Sequence, residues 1–325
     1  MTRLIRPLVL LSCLAIAYAA DAQAETSTQV DVSAERLAEG PIGGFVPKKL
    51  PAIIALALFG FSGIIHWINF FVVGKRPFLL SLTLGMTAMA LGFVLRMVFA
   101  KSPYSQGLYI IMEMLILLSP CAFLATDYML LARLSSTFDV EVQDECLLVR
   151  ASRIVNFFVW SDCLTFFLQA SGGGLQATKN SSTANIGNKI VMVGLVLQLV
   201  SFAFFTVVLM TFGWRMRNLF PTTWRSKHVQ PLKLFSRQPI ADWRILYFTI
   251  LTTCIGILTR SAFRIAEFAG GYNGFIATHE GYFYLLDSLP LWVAMSLYCI
   301  VWPTRALHPH PTSSATELKM TRNVV

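Results

Sequence analysis

Seven blocks of this chain are apolar for long enough to cross a lipid bilayer, and no other feature constrains its folding as much. They fall near residues 50–73, 78–99, 108–131, 154–170, 189–212, 244–268 and 282–302. The hydrocarbon layer of a bilayer is about 30 Å thick, which about 20 helical residues span. No water is there to bond the backbone, so such blocks fold as α-helices. The expected fold is all-α: a polytopic membrane protein whose domain, residues 50–304, is a bundle of seven transmembrane helices. The charged fraction agrees with this. It is 13%, against about 25% in soluble domains.

The basic residues set an orientation. The net charge is +9, and most Lys and Arg lie in short loops beside the spans. Fifteen lie on one side of the seven blocks and six on the other. Positive loops stay in the cytosol, so the N-terminus is expected outside and the C-terminus inside. The same distribution argues against a nucleic-acid partner. The start, "MTRLIRPLVLLSCLAIAYAADAQA", has a basic lead, a short apolar run and an A-x-A site. Residues 1–24 read as a signal peptide, with an uncleaved extra helix as the alternative. Residues 25–49 read as an external tail and residues 305–325 as a disordered cytosolic tail. Asn180-Ser181-Ser182 is a glycosylation sequon in an expected external loop. The six cysteines form no CxxC pair, which argues against a zinc site.

The spans also carry charge. "TRSAFRIAEF" places Arg260, Arg264 and Glu267 at i, i+4 and i+7, on one helical face. Charged residues inside a membrane usually turn to the bundle interior. Arg96, Glu113, Gln169, Gln198 and Asp287 share the outer half by the expected topology, and Asp162 lies nearer the middle. These residues predict a polar chamber in which Arg96, Arg260 and Arg264 face Glu113, Asp162, Glu267 and Asp287. The alternative is a set of interhelical ion pairs that fix packing alone. Asp127 and Tyr128 lie toward the cytosol. Pro120 and Pro290 are expected to kink their spans and free backbone carbonyls.

Several chemistries are absent from the sequence. No GxxxxGK[ST] occurs, so no nucleotide drives the protein directly. No HExxH occurs, and of five histidines only His66 lies well inside a block. The last span has no lysine for a retinal Schiff base. Neither an enzyme nor a cofactor or metal is expected.

Four stretches together resemble the fungal RTA-like, lipid-translocating exporter family. They are "LLSPCAFLATDYMLLARL", "FFLQASGGGL", "VGLVLQLVSFAFF" and "TRSAFRIAEFAGGYNGFIATHEGYFYLLDSLPLW". The matching positions are Asp127, Tyr128, Asp162, Gln169, Gly172 to Gly174, Gln198, Arg260, Arg264, Glu267, Gly271, Gly274, Glu280, Tyr284, Asp287 and Pro290. The resemblance implies a seven-helix protein, often of the plasma membrane, that moves or senses amphipathic lipids such as sphingoid long-chain bases. Internal membranes are the other expected location. Two functions follow as expectations: a translocator of amphipathic lipids or related small molecules, and a lipid-stress receptor. The basic loop at 215–244 is expected to meet a cytosolic partner or anionic lipid.

Overall fold

The computed structural model describes residues 47–102, 105–176, 181–225, 235–270 and 279–308. The signal-peptide reading, Asn180, Gly271, Gly274 and the tail beyond residue 308 lie outside the described residues. Ten α-helical segments are described: α1 Lys49–Val72, α2 Leu80–Phe99, α3 Gln106–Ser135, α4 Val140–Cys146, α5 Ala151–Gln176, α6 Ser181–Leu219, α7 Pro221–Trp224, α8 Trp243–Ala269, α9 Glu280–Tyr282 and α10 Leu289–Ile300. A π-helical turn, Phe283–Ser288, joins α9 to α10 into one span. Among the described residues, seven helices are long and apolar enough to cross a membrane. They are α1, α2, α3, α5, α6, α8 and the α9–α10 unit.

The seven spans pack as a closed ring in chain order. α1 packs on α2, α2 on α3, α3 on α5, α5 on α6, α6 on α8, α8 on α10, and α10 back on α1. α3 also meets α8 across the ring. Successive spans run in opposite directions. The starts of α1, α3, α6 and α9 therefore share one end of the bundle, here the Lys49 end. The opposite face is the Val72 end. Phe61, Trp160, Val200 and Trp214 are among many large apolar side chains on the outer surface. In water that surface would drive association. In a bilayer it is the wall that lipid wets.

Close helix contact explains two glycines. A Cβ on Gly172 would stand 2.8 Å from Gly187 O and from Val191 N, so the α5–α6 contact needs a glycine there. A Cβ on Gly256 would stand 2.8 Å from Pro290 O, which brings α8 against the start of α10. Small residues at such crossings let backbones approach and gain dispersion contacts where lipid offers no hydrophobic drive.

The structure lengthens the fifth span. α6 has 39 residues, about 58 Å at helical rise, and so projects beyond the hydrocarbon. Arg215 and Arg217, expected in a loop, lie on its last turns. The Arg215 side chain donates to Glu145 O at 3.0 Å, at the C-terminal end of α4. The Val72 end is packed shut. Ile240 N donates to Arg305 O at 2.7 Å, and Arg305 Nε donates to Gln238 O at 3.0 Å. Arg305 and Ala306 are buried, so the folded chain runs past the expected boundary at 305. Trp224, Trp243, Tyr247, Phe138 and Phe212 form an aromatic cluster at the same end.

Candidate functional site

The Lys49 end holds the charges. α8 presents Arg260 and Arg264 one turn apart, and the π-helical turn presents Asp287 between them. Arg260 Nη1 donates to Asp287 Oδ2 at 2.6 Å, and Arg264 Nε donates to Asp287 Oδ1 at 2.7 Å. One carboxylate thus holds two guanidiniums, and all three groups are buried. Arg264 also donates from Nη1 to Glu267 Oε2 at 3.0 Å. Glu113, on α3, makes no ion pair among the described residues, yet its charge lies within reach of Arg260, Arg264 and Glu267.

Pro120 accounts for a further contact. Proline has no N–H, so the carbonyl four residues earlier loses its helical partner. That carbonyl belongs to Ile116, and Arg260 Nη2 donates to it at 3.0 Å. Pro120 thus frees a carbonyl as expected, and an arginine side chain takes it.

Arg96 takes a different partner from the one its depth implied. It reaches Glu280 at the start of α9, with Nη2 3.0 Å from Oε1. The backbone N–H of Lys48 donates to the other Glu280 oxygen at 2.9 Å. The Arg96 guanidinium lies 4.5 Å from the Phe283 ring centre, and that of Arg264 lies 5.1 Å from it. Phe283 therefore sits between the two cations, an arrangement its ring face favours. Glu280 and Phe283 escaped the sequence reading as site residues. Glu280 begins a helix rather than lying within one, and an apolar ring gives no signal of charge.

Asp162 corrects the predicted chamber. It does not face an arginine. It lies on α5 beside Cys121, Cys163 and Phe166, around a cavity of about 30 Å³, room for about one water-sized molecule. Among the described residues neither of its carboxylate oxygens meets the distance and angle of a hydrogen bond, and the Tyr128 hydroxyl is the polar group nearest to it in electrostatic reach. Gln169 and Gln198 belong to this second patch. Gln169 Nε2 donates to Gln198 Oε1 at 2.9 Å, and Gln198 Nε2 reaches Cys121 Sγ at 3.7 Å. Helical spacing told which residues share a face, not which helix that face meets.

Asp127 lies toward the Val72 end, fully buried. Thr253 Oγ1 donates to it at 2.8 Å and Tyr298 Oη at 2.9 Å. Among the described residues no cation pairs with it. Its neighbour Tyr128 points elsewhere, onto the rings of Phe158 and Phe205. The two residues read together in sequence thus serve different faces of α3. The arrangement as a whole can hold a polar or cationic head against carboxylates at one end and store a lone acid at the other.

Similarity to known proteins agrees with a membrane role. The model of the RTA1-like proteins matches residues 82–310. Protein RTM1 of Saccharomyces cerevisiae is 32% identical over 210 residues, 64% of this chain and 62% of that protein. Protoporphyrin uptake protein 1 of the same yeast is 30% identical over 211 residues, 65% of this chain and 64% of that protein. The sphingoid long-chain base transporter RSB1 of Saccharomyces cerevisiae is 25% identical over 296 residues, 83% of this chain and 75% of that protein. The chain spans a little under two thirds of the length of RTM1 and of the uptake protein. No solved structure matches.

Proposed function

The chain belongs to the RTA1-like family, and from that premise we propose that it translocates amphipathic lipids or related toxic amphiphiles, sphingoid long-chain bases among them. The observation that carries the reading is the charge cluster at the Lys49 end. It holds the three arginines Arg96, Arg260 and Arg264 and the four carboxylates Glu113, Glu267, Glu280 and Asp287, with Glu113 in no ion pair among the described residues. A cationic amine head has a carboxylate to meet there, while its chain stays in lipid beside the apolar outer wall. Two relatives are named for sphingoid base transport and protoporphyrin uptake, and both ligands are amphiphiles. The proposed movement follows the substrate's own gradient, rides on proton flow, or depends on another protein machine.

The Lys49 end is proposed to face outside, on the strength of the basic-residue bias. The proposed location is the plasma membrane, with the leader removed and Asn180 glycosylated. Basic residues near Arg215 to Arg244 are proposed to meet anionic lipid headgroups or a cytosolic partner.

A cell experiment tests the reading against the receptor alternative. Cells deprived of the protein are expected to stop growing at lower concentrations of added long-chain base, and to release labelled base more slowly. Release at the normal rate alongside a lost transcriptional response to the base would favour the receptor. Normal release and normal response would remove both.

A further inference from the structure

A groove of about 320 Å³ opens on the side of the bundle between α1 and the α9–α10 unit. That volume falls in the range of small-molecule sites. Pro51, Ile54, Leu58 and Phe59 form one wall, and Leu285, Leu289 and Trp292 the other. Ile54, Leu285 and Leu289 are exposed on the outer surface, so the groove opens where lipid chains lie. It begins near the Lys49 end and deepens toward the middle of the bundle.

Its lining carries a polar anomaly. Ser288 is 3% exposed, and among the described residues its hydroxyl has no hydrogen-bond partner. Hydroxyls inside the spans of this protein usually bond back to a helix carbonyl three or four residues earlier. Thr87 to Thr83 O, Ser119 to Leu115 O, Thr126 to Ala122 O and Thr249 to Ile245 O are examples. Among the described residues the Ser201 hydroxyl oxygen is also buried without a partner, and Ser201 does not line this groove. Ser288 ends a π-helical turn, in which the carbonyl of Tyr284 takes the N–H of Leu289 five residues on rather than that of Ser288. Such turns are often found at functional sites. A buried hydroxyl left without a partner is unfavourable, and a hydrogen-bonding ligand relieves that cost.

The groove also borders the charge cluster. Ser288 follows Asp287, the shared partner of Arg260 and Arg264. Tyr284 forms part of the wall. Its ring stacks on Phe93, and the Arg96 guanidinium lies 5.7 Å from its centre.

We propose that this groove is a binding site, entered sideways from the bilayer, for a single-chain amphiphile with a hydroxyl-bearing head. The chain lies against Leu58, Phe59, Leu289 and Trp292, and a head hydroxyl bonds to Ser288 Oγ. The inference rests on the translocation reading for its ligand class, but not for the site itself. The apolar walls accept a hydrocarbon chain, the exposed Ile54, Leu285 and Leu289 place the opening on the lipid-facing surface, and the orphan hydroxyl selects a head that can hydrogen-bond.

The test uses the full-length protein in phosphatidylcholine nanodiscs with photoactivatable sphingosine. Labelling is expected on residues 51–59 and 281–292. Leu285→Trp, which fills the groove from an exposed position, is expected to cut labelling there about tenfold. Val200→Trp, on the lipid-facing wall of α6, is expected to leave it unchanged. Ser288→Ala is expected to weaken competition by unlabelled sphingosine about three- to tenfold, the worth of one hydrogen bond. It should leave competition by octadecylamine, which has no hydroxyl, unaltered. The ligand-free variant is expected to be at least as stable as the parent, since it loses an unpartnered group. Labelling spread over every lipid-facing helix and untouched by Leu285→Trp would overturn the proposal. Labelling in the groove without transport in vesicles would retain the site and reject translocation. Transport with labelling elsewhere would do the reverse.

Discussion

Replacing Asp287 with Asn is expected to destabilise the purified protein by about 3–5 kcal/mol, the usual consequence of removing one partner from a buried ion pair. Asp287 is fully buried and holds Arg260 at 2.6 Å and Arg264 at 2.7 Å. Asn keeps the shape and one acceptor, but two guanidiniums lose their common counter-charge. Arg260 retains the Ile116 carbonyl and Arg264 retains Glu267. Those contacts limit the loss without replacing the charge. Denaturation in mixed micelles, followed by tryptophan fluorescence, measures it. A cycle with Arg260→Met should show a coupling of about 0.5–3 kcal/mol between the two positions. Additive losses would mean that the two groups act separately, contrary to the geometry.

The second large effect is expected at the other end of the bundle. Asp127→Leu removes the acceptor of two buried hydroxyls. Thr253 has an alternative, since its Oγ1 also lies 2.7 Å from Ile250 O. Tyr298 Oη loses the acceptor it donates to, with only the Thr253 hydroxyl named beside it among the described residues. The expected loss is about 1–3 kcal/mol, the desolvation cost of one unsatisfied group. Asp127→Asn is expected to lose less than about 1 kcal/mol, because its carbonyl oxygen still accepts from Tyr298. The pair of variants therefore separates hydrogen bonding from charge. Equal losses for Leu and Asn would show that the carboxylate's charge, rather than its acceptor atoms, holds α3 to α8 and α10. If Asp127→Asn folds normally but fails to transport, the lone acid has a part in moving substrate.

The spans themselves were legible in the sequence because a bilayer imposes one length and one backbone geometry on any crossing segment. Arg260 and Arg264 were legible as a single face because helical spacing is fixed. Pro120 pointed to a freed carbonyl because proline has no N–H, and Ile116 supplies it. What the pattern could not reveal was which helix each face meets. Asp162 shares polarity and approximate depth with the arginines, yet α5 turns it toward Cys121 and Tyr128 instead. Arg96 lay at the expected depth, but its partner Glu280 belongs to a short helical turn at the mouth of the bundle. The ends of α6 were missed for a related reason. Arg215 and Arg217 are too polar to extend an apolar block, although the helix continues through them once it leaves the hydrocarbon. Arg305 carries the polar composition of a tail, and only its contacts with Gln238 and Ile240 reveal that it is folded.

The proposed translocation of an amphiphile by this chain, through the charge cluster at its Lys49 end, is measured by reconstituting the purified protein into phosphatidylcholine vesicles with a fluorescent long-chain base and quencher added outside. Quencher-accessible base is expected to be lost faster than in protein-free vesicles. Glu267→Gln, at a partly buried carboxylate of the cluster, is expected to slow that loss while the protein remains folded. Movement no faster than in empty vesicles, with and without a pH gradient, would rule out translocation by this chain on its own.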